Sequence, residues 1–161
     1  LRLVRVYGQL ALPLMHRQGS SMTIPAVLLP VFVQVGLTFA LLFWMGSARL
    51  RALKGRELRV GDIALRQPAW PERPTQISNA YDNQFQLPLL FYALVPLALI
   101  TRKADLLFVV LSWLFVITRL AHAAIHTTSN NVQRRFLAFV VGAVILLIMW
   151  IIFAAHILLG I

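Results

Sequence analysis

Ionisable and amide side chains recur at helical spacing in three places along the 161-residue chain. Asn79, Asp82, Asn83 and Gln86 stand at offsets 0, 3, 4 and 7; Arg119, His122 and His126 stand at 0, 3 and 7; Arg134 and Arg135 are adjacent. At about 100° per residue the first set covers roughly 100° of one helix face and the second roughly 60°. Arginines with amide donors suit a small solute carrying carboxylates, because a planar guanidinium offers paired donors. Asp82 suits an amine. An arginine beside a thiol lowers its pKa and so supplies thiolate, the reactive nucleophile. A polar solute with carboxylates and an amine, activated at its thiol beside a greasy co-substrate, describes glutathione conjugation. No residue of the chain need be modified in that chemistry. Cysteine is absent, which excludes a disulfide, a zinc–thiolate site and a cysteine nucleophile. His122 and His126 form an H-x-x-x-H pair with no third ligand on the same helix, so no metal site is expected.

These residues are conspicuous because the rest of the chain is apolar. Hydrophobic residues make up 60% and charged residues 12%, against about 45–50% and about 25% in soluble domains. Mean hydropathy is +0.79. That balance excludes a soluble enzyme, a disordered tail and a secreted disulfide scaffold. Four runs carry the apolar residues: Ile24 to Met45, Asn79 to Ile100 (apolar from Leu87), Leu106 to about Ala124, and Phe136 to Leu159. About 20 residues cross a bilayer core, and in lipid the backbone must satisfy itself, so each run is expected to be a helix. The fold expected is all-α, an integral membrane four-helix bundle. Pro30, Pro88 and Pro96 lie inside the runs and predict kinks; Gly36 and Gly142 predict close helix contacts. Gln34 predicts a hydrogen bond between helices.

Connectivity puts the three polar sets at one end. The second span begins on the side of the long connection 46–76, the third ends there and the fourth begins there. Nine Lys/Arg lie on that side: Arg49, Arg51, Lys54, Arg56, Arg59, Arg66 and Arg73, with Arg134 and Arg135. The other side has five: Arg2, Arg5, Arg17, Arg102 and Lys103. The positive-inside rule places the long loop in the cytoplasm. The net charge of +10 therefore reads as orientation, and nucleic acid is not an expected partner. Arginine outnumbers lysine 13 to 2, which hints at a GC-rich genome and a bacterial inner membrane. Residues 1–21 read as an N-terminal extension without assigned role, followed by a membrane domain over 22–161.

Three stretches carry a family resemblance. The first runs from Ser78 to Gln86 and on through Leu87-Pro88-Leu89-Leu90-Phe91-Tyr92. The second is Arg119-Leu120-Ala121-His122-Ala123-Ala124-Ile125-His126, followed after a loop by Arg134-Arg135-Phe136. The third is Gly46-Ser47-Ala48-Arg49-Leu50-Arg51. Together they resemble the MAPEG family, membrane-associated proteins in eicosanoid and glutathione metabolism, and its small bacterial members most. The resemblance implies a homotrimer of four-helix subunits, with glutathione as co-substrate held between neighbouring subunits near the cytoplasmic face. It implies that Arg135 is the arginine stabilising the glutathione thiolate, and so the catalytic residue. It assigns Arg119 and His122 to an R-x-x-H pattern, His126 to a position usually held by tyrosine, and Arg49 to a glutathione carboxylate. Asn79, Asp82, Asn83, Gln86 and Arg134 complete the expected glutathione site. Two departures stand out: an acid is expected at Gln86, and a phenol at His126.

Three functions follow. One is a glutathione-dependent transferase or peroxidase acting on a lipophilic small molecule in the bilayer. Another is a non-catalytic membrane module binding an anionic lipid or metabolite in the same pocket. A small transporter is disfavoured, because proton coupling needs an acid within a span, and Asp82, at a span entrance, is the one available.

Overall fold

The computed structural model describes residues 22–58, 60–63 and 70–160. The extension 1–21, together with Arg59 and Arg66 of the long loop, lies outside the described residues. All regular structure among them is helical, and four helical stretches are long and apolar enough to cross a membrane.

Helix α1 spans Ile24–Lys54. Its second residue is Pro25, where a missing N–H costs nothing. The helix continues past the end of the apolar run at Met45, so its 31 residues reach about 46 Å, more than the roughly 30 Å bilayer core. Arg51 and Lys54 in the last turn favour that extension by facing the negative end of the helix dipole.

The second span is not one continuous helix. Helix α2 covers Glu72–Asp82, a 3-10 turn covers Asn83–Phe85, and helix α3 covers Leu87–Ile100. Gln86 between them has φ −99° and ψ −102°, outside the helical region. Pro88 gives the reason. It has no N–H to donate to the Gln84 carbonyl, and its ring restricts the residue before it. Pro88 therefore starts a new helix, whereas Pro30 and Pro96 stay inside helices. A continuous helical arc from Asn79 to Gln86 does not exist; the turn brings Gln86 round instead.

Helix α4 spans Leu106–Thr127 and helix α5 spans Val132–Leu158. Each has a side-chain cap: Asp105 accepts from the Phe108 N–H at 2.8 Å, and Asn131 from the Arg134 N–H at 3.0 Å. The Asn131 cap begins α5 four residues before the apolar run. Arg134 and Arg135 thus lie in its first turn rather than ahead of it.

The core divides along the bundle axis. At the end remote from the long loop, Val27, Phe91, Leu94, Val95, Phe115, Val116, Leu146 and Met149 form one apolar cluster. The Phe91 and Phe115 rings pack at a tilt, with centroids 4.9 Å apart. Trp113 and Trp150 pack against this cluster, and His156 lies beside Lys103 and Asp105 at that end. Towards the long loop the buried apolar residues are mostly small: Ala48, Ala52, Ala80 and Ala123, with Leu41 and Ile77, while Leu37 and Tyr81 are partly buried. Gln34 donates to Gln84 Oε1 at 2.9 Å, and Gln84 donates to the Ala80 carbonyl at 3.0 Å. This is the hydrogen bond between spans expected of Gln34. Gly142 also meets its expectation: a Cβ there would lie 2.6 Å from Thr118 Oγ1. Gly36 does not, since nothing lies within 4 Å of a Cβ built on it.

Candidate functional site

Residues of α2, α4 and α5 face one another at the long-loop end of the bundle. A cleft of about 520 Å³ opens there, within the roughly 300–1,000 Å³ of small-molecule sites. Asn79, Asp82, Asn83 and Gln86 line it from α2 and the turn, His122 and His126 from α4, and Arg135 from α5. Seven of the ten residues expected at the site thus converge, from α2 and the turn after it, α4 and α5. Val132, Phe136 and Phe139 complete the lining.

The histidines form the most enclosed wall. Both are 3% exposed, and their rings meet edge to face at 5.7 Å. The backbone that carries them is clamped from α2. Gln76 Nε2 donates to the His126 carbonyl at 2.7 Å, and Arg73 Nη1 donates to the Thr127 carbonyl at 2.6 Å. Those carbonyls belong to the last turn of α4, which has no helical partners for them. The Arg73 guanidinium also lies 5.3 Å from the Trp44 ring. His126 Nδ1 is buried without a hydrogen-bond partner. Among the described residues no group of three or more potential ligands could hold a metal.

Arg135 is half-buried, and its Nη1 donates to Asn130 Oδ1 at 2.7 Å. A cation in the first turn of a helix faces the positive end of the dipole. The neutral amide fixes the guanidinium without cancelling its charge, so that charge stays available to a ligand. Asn130 takes φ +48° in the turn before α5, a conformation asparagine tolerates better than most residues.

Three expected residues stand apart from the lining. Arg119 is 1% exposed and sits behind the wall, with its guanidinium 5.4 Å from the Phe139 ring. Arg49 lies over the Trp70 ring at 4.9 Å and donates to Ser78 Oγ at 2.9 Å, outside the cleft of the single chain. Arg134 is exposed on the first turn of α5. Several residues of the site carried no such expectation. Gln76 sits three positions before Asn79 and extends the same polar face, a signal present in the pattern. Asn130 and Phe139 gave none, because one reads as loop and the other as apolar span.

The geometry defines a class: a four-span membrane bundle whose polar, cationic cleft is sunk into one end. Family comparison is more specific. The model of the MAPEG family matches residues 27–155, and the chain belongs to that family. Comparison with curated proteins gave no match, and comparison with solved structures gave none.

Proposed function

We propose that the cleft binds glutathione and that Arg135 holds its thiol as thiolate for attack on a lipophilic electrophile. The observation that supports this is the convergence of Arg135 with four amide or carboxylate side chains and two histidines in one cleft of suitable size. A free thiol has a pKa of about 8.5 and is mostly protonated at neutral pH. A guanidinium not matched by a carboxylate favours the thiolate. The sulfur then forms a bond to the electrophilic carbon, the leaving group departs with its electron pair, and the thiol proton passes to water. The amides of Asn79, Asn83 and Gln86 are placed for the peptide and carboxylates, and Asp82 for the amine. Val132 and Phe136, 64% and 66% exposed at the rim, offer apolar surface to the second substrate.

A homotrimer fits this reading. Arg49 and Arg134 lie outside the single-chain cleft, where a neighbouring subunit's site would use them. The same reading puts the long loop in the cytoplasm and the protein in a bacterial inner membrane. Thiolate ultraviolet absorbance on mixing purified protein with glutathione tests it. Absorbance should rise with the parent protein and fail to rise with Arg135→Ala. No rise in the parent, in a detergent that preserves its oligomer, rejects the proposal.

The exposed rim also favours a second reading, a non-catalytic module holding an anionic lipid or metabolite by its headgroup. Native mass spectrometry distinguishes the two. Lipid that is retained and not displaced by glutathione supports the second.

A further inference from the structure

Arg119 is a buried cation without a compensating charge. It is 1% exposed, its Nε has no partner, and Nη2 reaches only the Ala138 carbonyl at a long 3.4 Å. No carboxylate among the described residues is paired with it. A lone cation in a low-dielectric interior is costly, and a partner anion would lower that cost.

The walls around the guanidinium show where an anion would enter. On the α5 side, a Cβ at Gly142 would lie 3.4 Å from Nε and 3.5 Å from Nη2, so backbone closes that direction. Phe115, 6.0 Å away, is fully buried in the apolar core. Phe139 differs from both. Its ring stands 5.4 Å from the guanidinium and 6.1 Å from His122, and the same residue lines the cleft. This half-buried ring adjoins both Arg119 and the ligand space, next to His122 in the same wall, and its χ1 has other staggered positions to occupy.

We propose that Phe139 is a specificity gate: swung aside, it admits one carboxylate of a bound solute to Arg119. The cleft then prefers solutes carrying a second anionic group over those with one. The proposal rests on reading the cleft as an anion site. A paired, charge-assisted contact to carboxylate is stronger than the cation–π contact it replaces, so a suitable ligand drives the opening.

Calorimetric titration of the full chain in lipid nanodiscs tests this with two probes, glutathione and inorganic sulfate, which has no thiol. Phe139→Ala should tighten binding of both by about tenfold, the scale of a desolvated cation–π contact. Phe139→Leu, which keeps more of the packing, should move affinity the same way by less. Arg119→Met added to either variant should remove the gain. Sulfate affinity unchanged in both Phe139 variants overturns the gate, as does a gain that persists without Arg119. If glutathione binds no variant while sulfate shows the Arg119-dependent gain, the glutathione reading fails and the gate stands.

Discussion

The two ends of the bundle are built from the same helices and packed in opposite ways. Away from the long loop, Phe91, Leu94, Phe115, Leu146 and Met149 interlock into a sealed apolar core. Towards it, the buried apolar residues are mostly alanines (Ala48, Ala52, Ala80 and Ala123, with Leu41 and Ile77), and a polar cleft opens beside them. One end binds the helices together. The other trades packing for a cavity lined by groups that lipid cannot satisfy. The Gln34–Gln84 hydrogen bond marks the boundary, and the helix break at Gln86 turns the polar residues into the opening. Chemistry and stability are therefore spatially separated, and substitutions should sort by which end they touch.

The largest expected effect lies in the sealed end. Phe91→Ala removes a fully buried ring and should cost about 3–5 kcal/mol, read as a fall in the unfolding midpoint in detergent. A cost comparable to that of a cleft residue would break the contrast. Gly142→Ala comes next. Its Cβ would fall 2.6 Å from Thr118 Oγ1 and against the Arg119 side chain. Overpacking of this kind costs about 1–3 kcal/mol, and it should also shift the anion response by displacing Arg119.

At the boundary, Gln34→Leu leaves Gln84 without its partner and should cost about 1 kcal/mol. Replacing both glutamines with leucine should recover most of that loss, because no buried amide is then left unpaired. A double-mutant cycle on unfolding free energies measures it. The smallest stability effect belongs to the cleft itself. Arg135→Ala should change unfolding by less than about 0.5 kcal/mol while abolishing the thiolate signal. A large loss of stability there would show that the cleft carries structure as well as chemistry.

Much of this arrangement is legible in residue types and spacing alone. Lengths of apolar sequence set four spans, and connectivity put the polar sets at one end. Element ends were less legible, for identifiable reasons. Asn131 begins α5 four residues before the apolar run because a cap acts on backbone donors, which hydropathy does not register. Pro88 reads in the sequence as a kink; it restarts a helix, because its missing N–H and its ring take Gln86 out of helical geometry. Gly36 and Gly142 look alike in sequence, and only packing distinguishes the one that faces open space from the one against Arg119.

The sequence by itself determined the solvent, the number of spans and the end of the bundle that holds the polar groups. Those depend on residue type and periodicity, which act locally. Tertiary structure alone decided that Gln76 clamps the carbonyl of His126, that Asn130 holds Arg135, and that an apolar Phe139 meets Arg119 and also lines the cleft. Such contacts join separate helices, and their existence depends on how those helices rotate and approach. No pattern along one helix encodes that rotation; it emerges when large side chains at one end and small ones at the other settle the packing together.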